Sequence, residues 1–155
     1  MKKILITSLI VLLALSYTNA QELKWYADIN KALEVAGKEN KTLMLFFTGS
    51  DWCGWCKRLQ REVFNTSDFE VWSKNVVLVE LDFPRRTVLD EATRTQNYQL
   101  QKIFRVRGYP AVFFVNAEKM DDGRTNLKSL GRTGYVHGGA KKWIDVANSI
   151  VKKVI

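Results

Sequence analysis

Seven residues, Thr42-Leu43-Met44-Leu45-Phe46-Phe47-Thr48, carry no charge, show no polar–apolar alternation, and end at Gly49-Ser50. A run of that length bounded by turn residues reads as a strand buried on both faces, which requires a sheet with a covering layer on each side. Trp52-Cys53-Gly54-Trp55-Cys56-Lys57 follows directly. It opens a segment with Cys56, Leu59, Gln60 and Val63 along one side, the spacing of a helix from Cys53 to about Asn65. A helix start leaves backbone N–H groups unpaired, and these, with the helix dipole, favour negative charge there. A cysteine at that point is favoured as thiolate, the form that attacks disulfides. Cys53, close to solvent, is therefore the expected nucleophile. Cys56, one turn further in and more buried, is the sulfur expected to resolve a mixed disulfide.

The rest of the chain alternates in a compatible way. Ile29, Ala32, Leu33 and Ala36 recur at helical spacing behind the capping residue Asp28, and Gly37 with Asn40 closes that helix. Ser67 with Glu70 makes a capping-box pattern for a short helix holding Phe69 and Trp72. Val76 to Phe83 reads as a second buried strand stopped by Pro84, with Arg85 to Thr87 as a loop. Asp90 to Phe104 reads as a helix with Leu100, Ile103 and Phe104 on its apolar side. Beyond Gly108-Tyr109-Pro110, Ala111 to Asn116 is a strand, Glu118 to Asn126 a turn region, and Leu127 to Leu130 a short returning strand. Gly131, Gly134, Gly138 and Gly139 form a loop before a last helix, Ala140 to Val154, and His137 in that loop is expected to face solvent. This order predicts an α/β fold with a central mixed sheet flanked by helices on both faces, a three-layer sandwich.

Residues 1–20 stand apart from that domain. Lys2 and Lys3 precede an apolar run from Ile4 to Leu15, and Thr18 and Ala20 occupy the small-residue positions of a cleavage site before Gln21. That is a signal-peptide layout, leaving residues 21–155 as the mature domain. The run is shorter than the ~20 residues of a spanning helix, so the mature protein is expected to be soluble, in the periplasm or, alternatively, secreted. No cysteine follows it to carry a lipid. The formal charge of +8 loses Lys2 and Lys3 to leave +6, in small clusters such as Lys57-Arg58 and Arg85-Arg86 scattered among acids. Without a basic stripe interleaved with aromatics, no nucleic-acid partner is expected.

Two cysteines separated by two residues close too short a loop to restrain much of the unfolded chain, so their bond points to chemistry more than to stapling. Other readings of the pair are a structural disulfide, a copper-handling dithiol and a zinc site. Zinc needs two more ligands, and beyond this pair the chain has no cysteine and only His137 as histidine. Haem attachment needs histidine where Lys57 stands. No metal and no cofactor is therefore expected.

Phe47 through Lys57 (F-T-G-S-D-W-C-G-W-C-K) and, some fifty residues on, Phe104 through Pro110 (F-R-V-R-G-Y-P) resemble the two active-site elements of the thioredoxin superfamily. The resemblance spans about Trp25 to Ile150 and is strongest to secreted bacterial thioredoxin-like proteins and periplasmic thiol-reductase domains. It implies the thioredoxin fold, a cis bond before Pro110, and thiol–disulfide exchange through Cys53 and Cys56. It also implies that Pro110 lies against the cysteine pair and that Tyr109 offers backbone groups to an extended substrate. Trp52 and Trp55 are candidates for an apolar lip around that substrate. The chain departs from the family where a buried aspartate is usual: Phe46 and Phe47 stand there. Glu80 is the candidate displaced base for Cys56, with Asp82 as the fallback. Gly54-Trp55 between the cysteines matches neither the usual reducing nor the strongly oxidising pattern. The expectation is a reductase or isomerase acting on disulfide-bonded exported proteins and kept reduced by a membrane-bound thiol donor. The alternative is a non-catalytic binding module using Trp52, Trp55 and Tyr109 as an adhesive surface.

Overall fold

A computed structural model of the chain describes residues 23–152; the signal-peptide reading of residues 1–20 lies outside the described residues. The strands are β1 (Trp25–Tyr26), β2 (Thr42–Thr48), β3 (Val76–Asp82), β4 (Ala111–Lys119) and β5 (Thr125–Thr133). They form one sheet in the order β1-β3-β2-β4-β5. The first three lie parallel, while β4 runs antiparallel to β2 and β5 antiparallel to β4. The helices are α1 (Ile29–Glu39), α2 (Gly54–Leu59), α3 (Ser67–Ser73), α4 (Glu91–Ile103) and α5 (Gly139–Val151).

Because side chains alternate across a strand, β2 builds two cores at once. Met44 and Phe46 enter a cluster with residues of α2, α3 and α5, including both cysteines. Leu43, Leu45 and Phe47 enter a second cluster with residues of α1 and α4. The expected three layers are thus present. Trp143 of α5 anchors the first cluster, its ring 5.5 Å from Phe64 and 5.7 Å from Trp72, with its Nε1–H donated to the Gly134 carbonyl. A buried indole needs that acceptor, since an unpaired N–H in an apolar core costs about 1–3 kcal/mol.

The caps follow local chemistry. Asp28 Oδ1 accepts the Asn30 N–H at 2.9 Å, and Asn40 takes the left-handed conformation that ends α1. Helix α3 starts one residue earlier than the Ser67–Glu70 pattern predicts. Thr66 is extended and its hydroxyl caps Phe69 N–H, so Ser67 is already helical. On α4, Asn97, Leu100 and Phe104 make the buried stripe, and Ile103, one position off it, is 63% exposed. The β4–β5 hairpin is longer than expected, with its turn confined to residues 120–124 and Gly131 inside β5. Its outer half is polar and exposed, held by strand pairing and by a Lys128–Glu118 ion pair at 3.2 Å, so the apolar signal for a strand is missing there. Gly131 sits under α5, where an added Cβ would fall 2.7 Å from Ile150.

Candidate active site

The turn from β2 into α2 is tied to the end of β3 by a set of short-range bonds. Phe83 N–H donates to Thr48 O, and Asp82 accepts both the N–H and the hydroxyl of Ser50. Asp51 accepts the backbone N–H groups of Arg85 and Arg86, at 3.0 and 2.6 Å, and these bonds hold its carboxyl below the usual carboxylate range. The turn itself closes through Cys53 N–H on Gly49 O at 2.8 Å. Cys53 is consequently the N-cap of α2, and its Sγ accepts the Cys56 N–H at 3.2 Å.

Cys53 and Cys56 are joined in a disulfide with Cα atoms 5.3 Å apart. Their order of burial is the expected one, although Cys53 is less open than predicted: it is 5% exposed and Cys56 fully buried. The helix continues past Leu59 as a π-turn, Gln60–Phe64, in which Asn65 N–H reaches back to Gln60 O. This turn sets Val63 and Phe64 together into the core under the cysteines.

Trp52 and Trp55 flank the pair in different ways. Trp52 is half-buried, donates Nε1–H to Phe83 O at 2.8 Å, and stands edge-on to Tyr109 at 5.6 Å. The Arg85 guanidinium lies 4.0 Å over its ring. Trp55 is 55% exposed and neighbours Tyr135 at 5.2 Å. Arg58 lies over both of those rings, at 5.3 and 5.0 Å, with its Nε on Glu62 at 2.7 Å. The Tyr135 hydroxyl donates to the other Glu62 oxygen, and the two bonds lower the Glu62 carboxyl. Arg58 and Glu62 stand four apart on the α2 segment, a spacing readable in the sequence. Tyr135, in the loop before α5, carries no such signal.

The Tyr109–Pro110 bond is cis. Phe47 pairs with Ala111, so Pro110 stands one residue further, level with Thr48 at the strand end from which the cysteine turn departs. Tyr109 is half-buried, packs against both core clusters and bonds Gln101 through its hydroxyl. Glu80 pairs in register with Phe46 and alternates with Val76 and Leu78, which belong to the cysteine-side cluster. It is therefore on the face of the sheet that carries Cys56. Burial, and then the neighbouring Asp82, raises its carboxyl above the usual range. Asp82 points the same way, and both of its oxygens accept from Ser50. The Thr48 hydroxyl on this face is buried and has no protein partner. His137 is exposed, as expected. Among the described residues no group of three or more His, Cys, Asp or Glu side chains converges, and no helix is long and apolar enough to cross a membrane.

A disulfide at a helix N-terminus, backed by a mixed sheet and with a cis-proline level with the strand end from which its turn departs, defines a thiol–disulfide oxidoreductase. The match of residues 24–117 to the thioredoxin-like family model places the chain in that family. Its relatives include the disulfide bond reductase DsbH of Chlamydia pneumoniae, 34% identical over 136 residues, 86% of this chain and 75% of that protein. A solved DsbH oxidoreductase superposes with a TM-score of 0.75 at 31% identity, covering 89% of this chain and 92% of that one. The reduced C-terminal domain of DsbD from Neisseria meningitidis gives 0.53 at 25% identity, over 80% and 97% of the two chains.

Proposed function

We propose that the protein is an exported disulfide reductase that works on disulfide-bonded exported proteins in the periplasm and is recharged by a membrane-bound thiol donor. The observation that carries this reading is Cys53 Sγ accepting the Cys56 N–H at the first turn of α2, because that N–H and the helix end favour the thiolate once the bond is opened. Likeness to a disulfide bond reductase supports the direction, likeness to a DsbD domain supports the thiol donor, and the layout of residues 1–20 supports export.

In the proposed cycle the Cys53 thiolate attacks one sulfur of the partner's disulfide. A Cys53–partner bond forms, the partner's bond breaks, and its second sulfur leaves as thiolate. Cys56 gives its proton to Glu80 and attacks Cys53 Sγ, expelling the other partner sulfur. The Cys53–Cys56 disulfide is left, and two electrons have passed to the partner. Glu80 suits the proton step because its carboxyl already titrates upward from the ordinary range, nearer that of a thiol. Trp52, Trp55, Tyr109 and Pro110 receive the partner: the cis-proline edge adds an extended segment by main-chain bonds, and the tryptophans supply apolar contact.

Insulin reduction with dithiothreitol as electron source tests the reading. The parent accelerates precipitation of the insulin B chain; Cys53→Ser abolishes the effect, and Cys56→Ser accumulates mixed disulfide. A parent no faster than dithiothreitol alone would refute it.

A further inference from the structure

The described cysteine site is bracketed by two arginines, each laid on one of its tryptophans. Arg85 lies over Trp52, the residue before Cys53, and Arg58 lies over Trp55, the residue before Cys56. The nearby acids have donors of their own. Asp51 is spent on backbone N–H groups, Asp82 on Ser50, and Glu62 takes Arg58 through Nε and Tyr135 through its hydroxyl. Among the described residues Arg85 is in no ion pair, and the ion pair of Arg58 with Glu62 is made through Nε rather than through the terminal nitrogens. Those terminal nitrogens are the donors that grip a carboxylate in a two-pronged bond.

Stacking also matters for what these groups can select. An arginine held over an indole and, for Arg58, pinned at Nε gives up side-chain freedom before a partner arrives. Two positive groups are then held over the tryptophans that precede the two cysteines.

We infer that Arg58 and Arg85 are specificity determinants that select protein partners carrying carboxylates beside their reactive cysteines. This rests on the oxidoreductase reading and names its substrate class. Acidic residues flanking the partner's disulfide dock on the two forks while its sulfur meets Cys53, so charge acts chiefly on the encounter rate. Partners with lysine in those places are turned away by like charge.

The test uses three disulfides with the reduced mature protein: neutral hydroxyethyl disulfide, a peptide with glutamate flanking both cysteines, and the same peptide with lysine instead. Each peptide rate is divided by the same protein's rate on hydroxyethyl disulfide. The parent should reduce the acidic peptide about tenfold faster than the basic one at low ionic strength, with the ratio falling as salt shortens the Debye length to ~8 Å at 0.15 M. Arg58→Gln with Arg85→Gln should bring the ratio near one, and Arg58→Glu with Arg85→Glu should invert it. Equal peptide rates in the parent, or a ratio the double variants leave untouched, would overturn this inference and leave the oxidoreductase reading standing. Failure on all three disulfides would overturn both.

Discussion

Replacing Gly49 by alanine tests how the active-site turn is held. Gly49 packs against the indole of Trp52, and an added Cβ would come within 2.7 Å of three of its ring atoms. That ring is not free to step aside. It is fixed by its bond to Phe83 O at 2.8 Å, by the edge-on contact with Tyr109 at 5.6 Å and by Arg85 at 4.0 Å. Displacing it forfeits about 1 kcal/mol for the hydrogen bond, about 0.5–1.5 kcal/mol for the aromatic pair and about 0.5–1 kcal/mol for the exposed cation–π contact. Gly49→Ala should therefore lose about 2–3.5 kcal/mol of folding stability, read by urea unfolding followed through tryptophan fluorescence. With a urea slope of about 1–3 kcal/mol per molar, the midpoint should fall by roughly 1 M or more. A variant within about 0.5 kcal/mol of the parent, with unchanged native fluorescence, would refute the reasoning, since the ring would then have no role in fixing the turn.

Further outcomes follow from the carboxylates. Glu80 titrates higher folded than unfolded, so the native state holds its proton more tightly; the stability this adds is complete below the unfolded value and is lost as pH rises through the folded one. Glu80→Gln should flatten that fall above the ordinary glutamate range, and should slow resolution of the mixed disulfide; an unchanged pH slope would show that Glu80 is not buried against the cysteine face. Asp51 is the opposite case, titrating lower when folded, so its contribution is present above the ordinary aspartate range and disappears as pH falls through its lowered value. Asp51→Asn should speed hydrogen exchange at the Arg85 and Arg86 amides at neutral pH, and protection equal to the parent's would contradict the clamp.

What was legible in the sequence was whatever periodicity or local chemistry writes down. The β2 run kept its bounds because a doubly buried strand has no charged residue to blur it, while Asp28 and Asp90 act as caps through their own side chains and Asn40 through its left-handed backbone. Cys53 and Cys56 were readable because thiolate chemistry demands a helix start. The edge strand β1 is two residues long and the outer half of the β4–β5 hairpin is polar, so neither carries an apolar pattern. The clamps of Ser50 by Asp82 and of the residue 85–86 amides by Asp51 join positions more than thirty apart. Nothing local marks them, and only the parallel pairing of β2 with β3 brings them together. Asp82 shows the same limit. Its side of the sheet was right, but its occupation by Ser50 depends on tertiary contact.

The most direct test is the ionisation of the Cys53 thiol in reduced Cys56→Ser protein, followed by thiolate absorbance and by alkylation rate across pH. A sulfur capping α2 should titrate clearly below the ~8.5 of an ordinary cysteine and react readily at pH 7. Titration at or above that value, with Cys53 left unalkylated at neutral pH, would contradict its assignment as the attacking group.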